Sequence, residues 1–246
     1  MIGRKPREAG SRYAGKSDVK TFLFYIKKVF KILLDFIWPQ FCLGCHSEGS
    51  LCCGFCLNDI ILSEPKAIYW PDQEKTYFKA CYSSCDYQNQ LVQKLIKNYK
   101  YNYLENMAEP LIDILEKQAR HLALGKDTII VNIPLHQNKK RKRGFDQTEL
   151  LAKKLAKRLN RPYSPLLIRT KNNPPQAKLN KIARQKNVLD IFEINQKTVP
   201  LQMRHCSQIL LIDDVTSTGA TLNQAAKVLT KNNYSNIICL VLAKNN

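Results

Sequence analysis

The chain has 246 residues, enough for one large domain or for a main domain beside a small one. Its hydrophobic fraction of 44% is ordinary, so a packed core is expected and a wholly disordered chain is excluded. Charge is the unusual quantity: 39 Lys and Arg against 20 Asp and Glu leave a formal +19, which predicts either a solvated lysine-rich surface or attraction to polyanions.

Residues 1–20 are polar and basic without any period, and read as a disordered tail. They carry charge where the apolar core of a signal peptide would stand, so none is expected. The stretch TFLFYIKKVFKILLDFIW, residues 21–38, has Lys27, Lys28, Lys31 and Asp35 on one narrow stripe and is apolar elsewhere. That pattern predicts an amphipathic helix over 21–40, ended by Pro39. Its apolar face either docks on its own protein or makes a peripheral contact with a membrane surface. No run of about 18 uncharged apolar residues exists, so no spanning helix is expected. A reduced, cytoplasmic compartment follows as the default, and clustered cysteines there favour metal over disulfide.

The next segment, CLGCHSEGSLCCGFC, supplies that cluster. Cys42-x2-Cys45 and Cys53-x2-Cys56 are two knuckles that can each place two thiolates on one tetrahedral Zn²⁺. A zinc-ribbon module is expected over 41–75, with Cys42, Cys45, Cys53 and Cys56 as ligands. Cys52 is an alternative to Cys53, and His46 a less favoured one. So few apolar residues accompany the cysteines that the metal is expected to be structural, not catalytic. Cys81, Cys85, Cys206 and Cys239 read as core residues.

From residue 76 to 246 strands and helices alternate. YFKACYSSCDY, DTIIVNIP, SPLLIRT, LDIFEI, QILLIDDV and SNIICLVLA read as strands. NQLVQKLIKNYK, NMAEPLIDILEKQARHLAL, DQTELLAKKLAKRLN and ATLNQAAKVLTKN read as helices. The alternation predicts an α/β fold, a mainly parallel sheet flanked by helices on both faces.

Chemistry is concentrated at ILLIDDVTSTGATL, residues 209–222. The apolar run 209–212 predicts a buried strand with Asp213 and Asp214 at its carboxyl end, where α/β sheets bind ligands. Thr216, Ser217, Thr218, Gly219, Ala220 and Thr221 then strip away bulk and lead into a helix. Small residues let main-chain N–H groups approach an anion, Gly219 can take a positive φ, and the helix start adds partial positive charge. Two carboxylates beside such a cradle suit vicinal hydroxyls, directly or through Mg²⁺. The expected ligand is a sugar bearing a 5′-phosphate. Capping would account for one acid or one hydroxyl, but not for the whole set.

The segment resembles the phosphoribosyl pyrophosphate (PRPP) motif of type I phosphoribosyltransferases. The resemblance implies that Asp213 and Asp214 hold the ribose hydroxyls and that residues 216–221 hold the 5′-phosphate. A second half-site follows the strand TIIVNIP, where five consecutive basic residues, Lys139, Lys140, Arg141, Lys142 and Arg143, offer charge to a diphosphate or a nucleic-acid backbone. The combination IPLH…RKRGFDQ…LA resembles the signature of the ComF family, which joins a cysteine module to a phosphoribosyltransferase domain. RTKNNPPQAKLNKIARQKNVLDIF keeps that family's spacing of Arg169, Gln176, Leu179, Arg184, Asn187 and Phe192. Asp146 stands where the family usually has Asn, and Lys171 where it often has a second Arg.

The resemblance implies a type I phosphoribosyltransferase fold with an N-terminal zinc ribbon. It also implies diphosphate contacts from Leu135, His136, Lys139 and Arg143, and a lid carrying Gln176, Arg184 and Asn187. Mg²⁺ would accompany PRPP. As an enzyme the chain would pass ribose 5-phosphate to an acceptor, with Asp213 and Asp214 as catalytic residues; no segment reads as a hood for the acceptor. As an adaptor it would handle single-stranded DNA during uptake, alongside competence-machinery proteins. Lys139 to Arg143 would then grip the strand, and Tyr99, Tyr101 and Tyr103 would stack on its bases. A membrane-associated scaffold anchored by 21–38 is a third reading.

Overall fold

Continuous apolar runs build the sheet. In the computed structural model, which describes residues 39–60, 62–71, 75–101, 107–171, 191–198 and 207–245, four strands run parallel. They are β1 (Ala80–Asp86), β2 (Thr128–Asn132), β5 (Gln208–Thr216) and β6 (Ile237–Lys244), in the order β1-β6-β5-β2. The β5 run is buried from Gln208 to Ile212, as a parallel strand covered on both faces must be. The 1–20 and 21–38 expectations, the residues Gln176, Arg184 and Asn187, and Tyr103 and Cys206 lie outside the described residues.

Alternation along the strands divides the core into two layers. Ile129, Val131, Ile209, Leu211, Ile237, Cys239 and Val241 face Leu222, Ala225, Ala226 and Leu229 of α6 (Ala220–Lys231). On the opposite face α3 (Ala108–Ala119) and α5 (Gln147–Leu159) pack on each other and on the sheet. Arg158 of α5 ties them further, bonding Glu109 at 2.6 Å and Glu116 at 3.0 Å, with Asp113 as a third partner. Helices on both faces of a parallel sheet are the expected architecture. Cys81, Cys85 and Cys239 are buried, as a core role requires.

Three segments depart from the sequence reading. SPLLIRT and LDIFEI contribute β3 (Leu167–Arg169) and β4 (Phe192–Ile194), which pair antiparallel in a separate two-stranded ribbon. Three residues per strand are too few to show their partner in a one-dimensional pattern. The basic run, to which the sequence pattern assigned no element, forms α4 (Gln137–Arg143). His136 caps its start through Nδ1, and Gly144, at φ 76°, closes its end. Lys and Arg are good helix formers, so only the like charge opposes this turn.

The described residues divide into two units, one up to Cys53 and one from Gly54. In the first, the described residues make tight turns: the Cys42 N–H donates to Ser47 O at 2.8 Å, and the His46 N–H to Cys42 O at 2.9 Å. The second opens with α1 (Gly54–Asn58), which carries Cys56, and also holds α2 (Gln90–Tyr101). No helix among the described residues is long and apolar enough to cross a membrane.

Candidate functional site

β5 runs on through the two acids instead of stopping before them. Its pairing with β6 continues from Asp213↔Val241 to Thr216↔Lys244, because main-chain bonding is indifferent to the charge of the side chains it carries. Asp213 and Asp214 are half-buried at the carboxyl end of the sheet. Thr216 is the buried last residue of the strand, and Ser217 and Thr218 form the bend. Gly219 adopts φ 69°, the left-handed conformation its sequence position suggested, and Ala220 and Thr221 open α6. Trp70 Nε1–H donates to Ser217 O at 2.8 Å and pins the bend; nothing in the sequence near Trp70 pointed to this contact.

The acids are bonded in a definite pattern. Asp213 Oδ1 accepts the Asp214 N–H at 2.8 Å, and Asp214 Oδ1 accepts the Val215 N–H at 2.6 Å. Asp214 Oδ2 pairs with Lys100 Nζ at 2.8 Å, and the two side chains are only 15% and 19% exposed. Burial, together with the adjacent Asp214, pushes the Asp213 carboxyl up to about 8. Burial pulls the Lys100 ammonium down, but Asp214 and then Asp213 more than offset it and hold Lys100 above the ordinary lysine value.

β2 neighbours β5, so α4, which follows β2, stands beside the acid pair. Helical periodicity sorts its basic residues. Lys139 and Arg143, four apart, are half-buried, whereas Lys140, Arg141 and Lys142 are exposed. Burial and the neighbouring cations Arg169, Arg143 and Lys100 lower Lys139, while Asp214 opposes them. Burial also lowers Arg169, against Asp213, and its Nε is buried without a hydrogen-bond partner among the described residues. Four cations therefore gather round two acids. Lys140 and Arg141 instead line a cleft of about 620 Å³, together with Asn132, Gln137, Arg169 and Asn195.

Leu135 and His136 form the turn between β2 and α4. Asp146 Oδ2 accepts the Leu135 N–H at 2.8 Å, while its Oδ1 accepts the Glu149 N–H at 3.1 Å and caps α5. The carboxylate is thus engaged by main-chain donors and fixes the turn that carries the basic helix. The tyrosines part company. Tyr99 is fully buried, its hydroxyl donating to Gln147 O at 2.9 Å, so it is core and cannot stack on a base. Tyr101 is 64% exposed, with the Arg143 guanidinium 5.3 Å from its ring centroid.

At the other end of the chain, the Sγ atoms of Cys42, Cys45, Cys53 and Cys56 all lie within 4.8 Å of one another. Tetrahedral zinc at about 2.3 Å from each sulfur spaces thiolates by just under 4 Å, so this set fits the metal. The Cys53 N–H donates to Cys42 Sγ at 3.4 Å. Burial raises the Cys42 thiol, but N–H donors from Cys53, Cys45 and Gly44 outweigh it and bring it down to about 6. Cys53, and neither Cys52 nor His46, belongs to the cluster.

The DNA utilization protein YhgH of Escherichia coli (strain K12) is 29% identical over 143 residues, which cover 56% of this chain and 60% of that protein. Competence protein F of Haemophilus influenzae is 30% identical over 103 residues, 42% of this chain and 44% of that protein. Competence protein ComFC of Bacillus subtilis is 38% identical over 104 residues, 42% of this chain and 39% of that protein. Over these segments the chain is similar to ComF-family proteins. It matches less than two thirds of the length of each of these ComF relatives, and no family model matches it. Adenine phosphoribosyltransferase from Leishmania donovani aligns with 70% of this chain and 86% of its own, at 15% identity and a TM-score of 0.33, too slight a likeness to carry an inference. The parallel sheet, its flanking helices and the four-cysteine cluster agree with the fold expected of a ComF protein.

Proposed function

We propose that this ComF-like protein binds PRPP at the carboxyl end of β5 and uses that site in handling single-stranded DNA during uptake. One observation carries the reading: β5 and β2 are neighbours, so the acid pair with its glycine-containing bend lies beside the cationic face of α4. An acid pair suits a diol, the bend and the start of α6 suit a 5′-phosphate, and Lys139 with Arg143 suits a diphosphate. Asp213 and Asp214 are also the residues that would hold Mg²⁺, which when bound neutralises diphosphate oxygens. The relatives' names, DNA utilization protein and competence protein, support the DNA role. So do the +19 charge, the exposed Lys140, Arg141 and Lys142, and exposed Tyr101.

Two titrations of the full chain test the reading: PRPP with Mg²⁺ by calorimetry, and a labelled oligothymidylate by anisotropy across a salt series. Neutralising Lys140, Arg141 and Lys142 is expected to lower the salt slope of oligonucleotide binding by about 2, at roughly 0.7 per phosphate contact, and to leave PRPP binding unchanged. Neutralising Lys139 and Arg143 weakens both. No PRPP binding at millimolar ligand, or an unchanged salt slope, contradicts the reading.

A second reading, transfer of ribose 5-phosphate to an acceptor, is favoured by Asp213. A carboxyl that titrates near 8 can carry a proton at neutral pH, and its neighbour's negative charge would stabilise positive charge developing on the sugar. The same titration gives a pH dependence. Because the folded-state value is raised, the folded chain holds a proton that the unfolded chain has lost between about 4 and about 8, and stability from this group falls as pH rises through that window. A ligand that needs Asp213 as an acceptor behaves oppositely. PRPP affinity is expected to rise from pH 6 and level off above about 8, and Asp213→Asn should flatten that rise while leaving the titration of the ligand's own phosphates.

A further inference from the structure

We infer that Lys100 is a displaceable counter-ion: it pairs with Asp214 until the ligand's ribose takes its place, and then passes to the diphosphate. The inference rests on the PRPP reading above and deepens it.

Both oxygens of Asp214 are engaged. Oδ1 accepts the Val215 N–H at 2.6 Å and Oδ2 accepts from Lys100 at 2.8 Å. A ribose hydroxyl arriving at this carboxylate must share or displace one partner. The main-chain donor is fixed within β5, whereas the lysine is a compact charge on a flexible four-carbon stem. Lys100 sits in the last turn of α2, next to Tyr101, and that position lets the ammonium swing without moving the sheet. Its surroundings also supply a destination. Arg143 is close enough to oppose its charge, and Lys100 in turn acts on Lys139. An anion with two or more negative charges placed among these three cations relieves their mutual repulsion. A diphosphate does this, and a ribose hydroxyl alone does not.

The ion pair therefore couples the two halves of the ligand. Ribose 5-phosphate alone must break the Lys100–Asp214 pair without offering the cation a new partner close by. Pyrophosphate alone can draw Lys100 away but leaves Asp214 unpaired. The intact ligand does both, so it is expected to bind more tightly than its separate halves together suggest. Selectivity for a sugar phosphate that carries its diphosphate follows without any further contact.

Calorimetry on the full chain with ribose 5-phosphate, pyrophosphate and PRPP, at fixed Mg²⁺, tests this in the wild type, Lys100→Met and Lys100→Arg. Lys100→Met is expected to tighten ribose 5-phosphate by about 5-fold or more and to weaken pyrophosphate about 10-fold. Lys100→Arg restores pyrophosphate binding. In the Lys100→Met/Asp214→Asn double variant the gain for ribose 5-phosphate disappears, because no freed carboxylate remains. A lysine that only anchors α2 to the sheet would weaken all three ligands together on removal, and that result overturns the inference. If Lys100→Met leaves all three affinities unchanged, it is overturned as well. Absence of PRPP binding in the wild type sinks the PRPP reading itself, a result distinct from both.

Discussion

Asp214→Asn is expected to reduce PRPP affinity by at least about 100-fold, from two lost charge-assisted hydrogen bonds of about 1.5–3 kcal/mol each. The carboxylate is the only anion bonded to Lys100 among the described residues, and it stands at the sheet end beside the Gly219 bend. Asparagine is isosteric and still offers an oxygen to the Val215 N–H, so the strand keeps its shape. What it loses is charge. A neutral amide accepts weakly from ribose hydroxyls, cannot attract a divalent cation, and leaves Lys100 without an ion partner next to Lys139 and Arg143. The stability loss is expected at about 2 kcal/mol, below the 3–5 kcal/mol for breaking a fully buried pair, since these side chains are 15% and 19% exposed. Thermal unfolding of the variant beside its calorimetric titration separates the two effects. A variant that unfolds cooperatively a few degrees lower, yet binds PRPP as the wild type does, contradicts the role given to Asp214.

The second large effect concerns the cysteines. Purified from cells under reducing conditions, the full chain is expected to carry about one zinc per molecule, and Cys42→Ser, Cys45→Ser, Cys53→Ser or Cys56→Ser to lower this below about one fifth. Of the four, Cys42 and Cys56 are buried and Cys45 is exposed, so packing alone gives this segment little to fold on. Zinc binding of about 10–16 kcal/mol in comparable small sites would supply that deficit. Loss of a ligand, or chelation, should therefore unfold the segment, seen as protease cleavage around residues 41–58, while the sheet keeps its own transition. Cys52→Ser is the control. It should retain full metal, because its thiol lies outside the cluster. Full zinc content in Cys53→Ser with loss in Cys52→Ser would reverse the ligand assignment.

Much of the fold was legible because its determinants are local. The apolar run 209–212, the β-branched DTIIVNIP and the amphipathic DQTELLAKKLAKRLN each declare their element without help from a neighbour. The cysteine spacing placed all four thiols, and Gly219 announced its positive φ. What escaped notice depends on partners far along the chain. Lys100 looks like any solvent-facing lysine of an amphipathic helix until β5 brings Asp214 to it. Tyr99 and Tyr101 are two residues apart and alike in sequence, yet helix geometry buries one against Phe145 and exposes the other. The α4 helix carried a readable signal, good helix formers stopped by Gly144, that its charge density hid. Asp146 seemed an awkward negative charge beside a basic run. The structure shows it holding the Leu135 turn and capping α5.

Everything proposed for this chain turns on whether the end of β5 receives a phosphorylated ribose. A crystal structure of the full chain grown with PRPP and Mg²⁺ addresses that most directly. Ribose hydroxyls are expected on Asp213 and Asp214, the 5′-phosphate on residues 216–221, and Lys100 withdrawn from Asp214 toward the diphosphate. Density for the ligand on the outer face of α4 instead, at Lys140 to Lys142, with the Lys100–Asp214 pair still closed, would contradict that placement.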